Sequence, residues 1–268
     1  MESGKNFKII EIPYIFPKDI LNYKRINKIG YDPKLFTSPT LNKYFGYKYH
    51  LIPIKKNLVD CIYSEKEKKI DLFYKLEDKI VGESIKSKLN RLHKILKKNK
   101  SDSIFISAPE NVAWLLNIRG RDNPNSPIPN ARLIIDKEKN IFCFCDLKKI
   151  NKIKKIKYKK VKFHKFEEIY EILSKLNSSL FTIDGLTCSI FYQSLIESRF
   201  KISNFEDPIY HLKSIKNKIE IENMKKAHIK DGVALTKFLF WIKQDKNFGF
   251  DELTLEKKLE KFRKQNKD

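Results

Sequence analysis

The 268-residue sequence predicts an α/β protein built on a mixed sheet with flanking helices. Three observations point there. Between Glu83 and Ser203, short β-branched and aromatic runs alternate with segments whose apolar residues recur at helical spacing. Two of the strands, Ala131 to Asp136 and Asn140 to Cys145, lie close enough across Lys137-Glu-Lys-Asn140 to pair as an antiparallel hairpin, so the sheet is not all parallel. The apolar share of 41% is ample for a packed core in a chain this long, which argues against global disorder.

Taken in order, residues 1–54 open with Phe7-Lys-Ile-Ile-Glu-Ile-Pro13, read as a short alternating strand with nothing before it to supply a partner. Lys28-Ile-Gly-Tyr-Asp-Pro33 reads as a strand closing on a Gly/Pro turn, Pro39 to Phe45 as a helix, and His50-Leu-Ile-Pro-Ile54 as another strand. A set this small does not cover its own sheet faces. Residues 55–82 are polar and lysine-rich around the apolar island Asn57-Leu-Val-Asp-Cys-Ile-Tyr63, and read as a linker lying on a neighbouring domain.

From Glu83 the pattern becomes complete. Ile85, Leu89, Leu92, Ile95 and Leu96 mark one face of a helix whose lysine-rich end complements the negative pole of its dipole. Ser103-Ile-Phe-Ile-Ser107 is a strand, and Ala108-Pro-Glu-Asn111 starts a helix with proline in its first turn. After the hairpin come a strand at Lys159 to His164, a helix at Glu167 to Leu176, a strand at Leu180 to Asp184, a helix at Ser189 to Arg199 and a strand from Phe200 to Ser203. Residues 83–206 therefore read as one complete layered domain.

Asp207 to Asn217 reads as an extended lead-in to a long helix from Lys218. Ile221, Met224, Ala227, Val233, Leu235, Phe238, Leu239 and Ile242 give that helix a broad apolar face. Asp251-Glu-Leu-Thr254 begins a second helix ending near Arg263. Neither helix has a sheet to lie on, so residues 207–268 are expected to expose apolar stripes and self-associate.

The formal charge is +23, from 56 Lys and Arg against 33 Asp and Glu. Clustered charge of that sign would invite nucleic acid, but the lysines are spread over every segment with no recognition helix, zinc-finger spacing or stacking motif. Compositional drift toward Lys, Ile and Asn accounts for it better. Cys61, Cys143, Cys145 and Cys188 show no CxxC spacing. Cys143 and Cys145 share a strand face and read as small buried hydrophobes in a reducing compartment. No apolar stretch resembles a secretory leader or spans a bilayer, so a cytoplasmic protein is expected.

The histidines at 50, 93, 164, 211 and 228 form no ligand motif, and His228 reads as packed or capping in preference to catalytic. Asp60 and Asp71 stand apart by a spacing that two-metal hydrolases use, yet no histidine and glutamates follow to complete a cage, so that spacing reads as chance. P-loop, GxSxG and GxGxxG motifs are absent from the sequence.

The most constrained polar stretch is Asn111-Val-Ala-Trp-Leu-Leu-Asn-Ile-Arg-Gly-Arg-Asp122 and the proline-rich loop after it. Gly120 admits backbone angles forbidden to other residues, while Pro124, Pro127 and Pro129 stiffen the chain. Asn117, Arg119, Arg121 and Asp122 are the candidate site residues. Either they contact substrate or a subunit, or Arg119, Arg121 and Asp122 pair with one another to fix the loop.

That stretch resembles a segment of the middle domain of three-domain Xaa-Pro aminopeptidases, of the creatinase and methionine-aminopeptidase superfamily. Gly30-Tyr-Asp-Pro33 with Asn57-Leu-Val-Asp60 is similar to the join between the first and middle domains. Asp207-Pro-Ile209 and Leu212-Lys-Ser-Ile-Lys-Asn217 through Met224 to Leu235 are similar to the entrance of the catalytic domain, and Lys261-Phe-Arg-Lys-Gln265 fits as well. The resemblance implies a ribonuclease-H-like middle domain over 83–206, the C-terminal remnant of a similar domain over 1–54, a linker over 55–82 and the first helices of a pita-bread domain over 207–268. It implies a family reaction in which two divalent metals, often manganese, activate a hydroxide that cleaves the bond before proline. The family's ligands, two aspartates, one histidine and two glutamates, have no counterparts here, so the chain is expected to bind no metal and to be inactive alone. A homodimer or a separately encoded catalytic partner is implied, with peptide substrate engaged only by the complete enzyme, no membrane, and nucleic acid disfavoured.

Overall fold

The computed structural model describes residues 8–23, 27–46, 48–63, 70–154, 156, 158–244 and 249–265. The chain divides into two compact units, residues 1–75 with 85–214, and residues 76–84 with 215–268.

The first unit begins with helix α1 (Pro17–Tyr23), strand β1 (Lys28–Tyr31), helix α2 (Ser38–Phe45) and strand β2 (His50–Pro53). β1 and β2 pair in parallel, Ile29 opposite Leu51, with α2 as the crossover between them. Thr37 caps α2 through its hydroxyl to the Thr40 amide, and Gly46 ends it with a positive φ of 65°. The strand expected at Phe7 to Pro13 is not there: residues 8–11 are irregular, Phe7 lies outside the described residues, and α1 follows instead. Alternation alone does not make a strand without a partner edge, and Ile9 and Ile12 are more than half exposed.

The expected linker holds three short elements: helix α3 (Leu58–Ile62), strand β3 (Tyr74–Lys75) and, in the second unit, helix α4 (Asp78–Val81). Residues 64–69 lie outside the description.

Helix α5 (Ile85–Lys98) is followed by β4 (Ser103–Ile106), α6 (Pro109–Leu116), β5 (Ile118–Arg119), β6 (Ala131–Ile135), β7 (Ile141–Cys145), β8 (Val161–His164), α7 (Ile169–Lys175), β9 (Leu180–Ile183), α8 (Ile190–Glu197), β10 (Lys201–Asn204) and α9 (Pro208–Ser214). Six strands form one sheet in the order β10-β9-β4-β6-β7-β8. β10, β9 and β4 run parallel, β6 is antiparallel to both neighbours, and β7 pairs in parallel with β8. The sheet is mixed, as expected from the hairpin.

The two-residue period of the central strands separates two cores. Ile104, Ile106, Leu133, Ile135, Cys143 and Cys145 face α5, α6 and α9, packing with Leu89, Leu92, Leu115 and Ile209. Phe105, Ile134 and Phe144 face the other way, against Leu173 of α7 and Ile196 of α8. Each fully buried aliphatic or aromatic side chain contributes about 1.5 to 3 kcal/mol, so the sheet and its two helical layers are held chiefly by this division.

Ser189 makes no side-chain cap for α8. The amides of its first turn, Ile190 and Phe191, instead donate to the carbonyls of Phe36 (2.8 Å) and Pro33 (2.9 Å), which ties the β1–α2 segment to the sheet's second face.

Asp207 to Asn217 is not extended. The Asp207 carboxylate accepts from the Ile209 amide at 2.9 Å and Pro208 occupies the first helical position, which together nucleate α9.

In the second unit, α10 (Lys218–Gln244) and α11 (Glu252–Gln265) accompany α4. Asn217 and Glu220 cap α10 reciprocally, each side chain accepting from the other's amide (3.0 and 2.9 Å). The Asn217 amide also donates to Val81 O beside left-handed Gly82. Arg263 of α11 pairs with Asp231 of α10 at 2.6 Å, and Trp241 meets Phe250. The apolar face of α10 is largely open, with Leu239 50% and Phe240 64% exposed and only Ala234 buried among the described residues.

Candidate functional site

The candidate residues sit where α6 stops. Asn117 closes the helix in the left-handed region (φ 53°, ψ 36°), its amide donating to the carbonyls of Ala113 and Trp114. Asparagine tolerates this conformation because its short side chain bonds locally. Here the carboxamide oxygen accepts from Lys88 Nζ at 2.7 Å, and the same ammonium donates to Trp114 O at 2.8 Å and lies 4.2 Å from the Trp114 ring centroid. Lys88 is only 1% exposed, so a buried cation fixes the start of the loop.

Beyond Asn117 the chain pairs briefly with β3, Arg119 opposite Tyr74. Arg119 is half-buried, and its guanidinium donates to Ala113 O (3.1 Å) and Ile118 O (2.8 Å), so it braces the turn. Gly120 follows in a space without room for a side chain: a Cβ there would lie 2.8 Å from Pro129 Cα and 3.0 Å from the Phe73 ring. Asp122 receives the Asn130 amide at 2.6 Å and the Lys149 ammonium, closing the proline loop at its base. The expected mutual pairing is therefore replaced, at Asp122, by partners distant in sequence.

Arg121 is exposed and borders two adjoining shallow clefts of about 490 and 500 Å³, shared with Asp71 and Tyr74. Asn123, Pro124 and Pro127 line one, and Lys152 the other. A guanidinium, a carboxylate and a phenol around a rigid proline loop suit the recognition of a peptide's polar backbone or terminal charge. They do not include a nucleophile with its base.

A second polar cluster, missed in the sequence, joins α6 to α9. Asn111 donates to Asp207 at 2.7 Å and accepts from Lys213 at 2.7 Å, and Tyr210 donates to Glu110 at 2.8 Å. Burial pushes the Asp207 carboxyl up to about 6, and burial followed by Glu110 raises the Tyr210 phenol. The pair Asp207-Pro208 was the legible signal, a helix start in place of an extended strand.

The remaining candidates are dispersed. Cys143 and Cys145 are buried, with the Cys143 thiol raised first by its bond to Cys145 and then by burial, and burial lifts Cys188 to about 12. Such thiols are inert core groups. His228 is exposed on α10, neither packed nor capping. Asp60 is exposed on α3, and Asp71 lies in the clefts beside Arg121. Among the described residues no three His, Cys, Asp or Glu side chains come together to hold a metal, and no helix is long and apolar enough to cross a membrane.

Residues 65–220, more than half of the chain, match the creatinase/prolidase N-terminal domain. The chain belongs to this family. Within it, the sequence is 29% identical to Xaa-Pro aminopeptidase 1 of Dictyostelium discoideum over 97% of this chain and 44% of that protein. It is 30% identical to Xaa-Pro aminopeptidase ApepP of Drosophila melanogaster over 88% of this chain and 40% of that protein. Among solved structures it resembles X-prolyl aminopeptidase from Caenorhabditis elegans, described as a cytosolic enzyme with a di-nuclear active site. The TM-score is 0.77 at 25% identity, covering 95% of this chain and 44% of that one. The chain thus spans under half the length of these relatives. The described residues do not fit a dinuclear centre, and no metal-dependent step is assigned to them.

Proposed function

We propose that this chain forms the non-catalytic N-terminal portion of an Xaa-Pro aminopeptidase, and that peptide hydrolysis requires a metal-bearing catalytic domain supplied by other sequence. The observation that carries the reading is similarity to these enzymes over nearly the whole of this chain and less than half of theirs. In this reading residues 1–54 belong to a first domain, 83–206 form the middle domain, and 207–268 are the leading helices of the catalytic one. The assembled enzyme is cytoplasmic and dimeric, and uses two divalent ions such as manganese, none of them held by this chain.

The part taken by the residues here is positioning. Arg121, with Asp71 and Tyr74, forms a polar wall that meets the peptide, while Asn117, Arg119 and Asp122 hold that wall rigid. Rigidity matters because a group that orients substrate does so only if its own conformation is fixed beforehand.

A second reading, a subunit docking onto a separately encoded catalytic polypeptide, is favoured by the open apolar face of α10. Both are tested by mixing the chain with a polypeptide carrying the family's metal ligands. Hydrolysis of an Xaa-Pro peptide should require both components, and Arg121→Ala should raise KM about tenfold with kcat little changed. Turnover independent of the 268-residue chain contradicts the proposal.

A further inference from the structure

A cleft of about 880 Å³ opens at the opposite end of α5 from its first turn, between the last turns of that helix, the turn into β4 and the tip of the β6–β7 hairpin. Lys94, Lys97, Lys100, Lys137 and Lys139 line it, with His93 among them. Five lysines from three separate elements line one concavity. Helix-dipole complementarity explains some of this, since lysines in the last turn of α5 face carbonyls worth about half an elementary charge. It does not explain Lys137 and Lys139, which belong to the hairpin.

The acids nearby offset only part of the group's charge. Asp102 spends one carboxylate oxygen on the amides of Ser179 (2.7 Å) and Leu180 (3.2 Å), and Asp136 is bonded to the backbone and side-chain amides of Asn140 (2.9 and 2.7 Å). Lys94, Lys97 and Lys100 form no ion pair among the described residues. Lys139 is held toward Asn90 at 2.6 Å. After the dipole, Asp102 and Asp136 are allowed for, the cleft keeps an excess of roughly two positive charges.

Two of the lysines also occupy seats that disfavour them. Lys100 (φ 56°) and Lys139 (φ 65°) are two of only three non-glycine residues with positive φ among the described residues. Glycine or asparagine is the usual choice at a helix C-terminus and at this position of a hairpin. Asn99 and Asn140 stand next to the two seats, yet lysine fills both.

We propose that this cleft binds a compact polyphosphate group, carried by an inorganic polyphosphate or by a nucleoside di- or triphosphate. Several tetrahedral anions in a row match lysines spaced around a pocket, and lysine binds phosphate as a point charge without needing a planar partner. The site is separate from the Arg121 clefts, so it does not depend on the peptidase reading.

The test is calorimetric titration of the whole chain with tripolyphosphate, ATP and AMP at about 0.15 M salt, where weak surface attraction is screened. Tripolyphosphate and ATP should each bind at one site, with AMP at least tenfold weaker. ATP binding much more tightly than tripolyphosphate would identify a nucleotide as the ligand. Lys137→Gln with Lys139→Gly should weaken both at least tenfold, whereas Lys148→Gln, Lys154→Gln and Lys162→Gln together, a larger loss of charge elsewhere, should change affinity less than twofold. Lys100→Gly should raise the thermal midpoint and weaken binding together. If a variant does not fold, acetylation of the native chain with and without tripolyphosphate gives the same answer, with protection expected at the cleft lysines alone. Equal weakening by both sets of substitutions, uniform protection, no saturable binding, or tighter binding of long oligonucleotides than of tripolyphosphate would overturn the proposal.

Discussion

The buried ammonium of Lys88 is expected to hold the candidate loop, and a double-mutant cycle measures how much. Its bonds include those to Trp114 O at 2.8 Å and to Asn117 Oδ1 at 2.7 Å. Bonds from a charged donor each contribute roughly 1.5 to 3 kcal/mol, against a burial cost of several kcal/mol for the ammonium itself. Lys88→Met keeps most of the stem's volume, removes that burial cost and takes the donor from both oxygens. The net loss should be about 2 to 3 kcal/mol. Asn117→Gly removes one acceptor but relaxes the left-handed backbone by about 1 kcal/mol, so its own cost should be roughly 0.5 to 2 kcal/mol. In the double variant the Asn117 oxygen no longer needs a donor, so the combined loss should fall short of the sum by at least about 1 kcal/mol. Urea unfolding followed by far-ultraviolet circular dichroism on the four proteins measures this. Losses that add to within about 0.5 kcal/mol, or a Lys88→Met chain as stable as its parent, would refute the coupling.

Gly120→Ala drives a Cβ to 2.8 Å from Pro129 Cα and should cost about 2 to 3 kcal/mol, opening the loop to limited proteolysis near Arg121; unchanged protection would show that the loop yields freely. Asp207 has a folded pKa of about 6 against an ordinary 3.8, so the folded chain binds more protons than the unfolded one between about pH 4 and 6. Its contribution is therefore lost as pH rises through that window, by roughly 3 kcal/mol, and Asp207→Asn should flatten the corresponding slope of stability against pH. An unchanged slope would assign it to other groups. With Leu239 and Phe240 open to solvent, the chain should self-associate in light scattering, and Leu239→Ser with Phe240→Ser should shift it toward monomer; a parent chain that is already monomeric contradicts this.

The parts of the fold legible in the sequence are those set by local period. Ile104-Phe105-Ile106, Leu133-Ile134-Ile135 and Cys143-Phe144-Cys145 alternate between the two cores as an apolar strand with both faces covered must. The illegible parts depend on partners far along the chain. β5 is a strand because Tyr74 lies opposite Arg119, and nothing within Ile118-Arg119 announces that. The run at Ile9 alternates as β4 does but has no edge to join. At the candidate site, Gly120 was expected for its backbone freedom, but it has no positive φ and its place is set by the lack of room beside Pro129 and Phe73, while the groups that hold the loop, Lys88 and Lys149, lie on other elements and were invisible to spacing. Asp207-Pro208 was a readable helix start, overlooked because the stretch after it lacks helical apolar period, whereas the helix from Lys218 was expected and the Asn217/Glu220 box caps it.

In the proposed role this chain contributes structure and substrate contact to peptide hydrolysis, and no chemistry of its own. The decisive assay incubates the purified 268-residue chain with manganese and an Xaa-Pro peptide and follows release of the N-terminal residue. Release should not rise above the metal-only control. Clear turnover would contradict this, and its loss on Asp60→Ala or Asp71→Ala would assign the chemistry to those carboxylates.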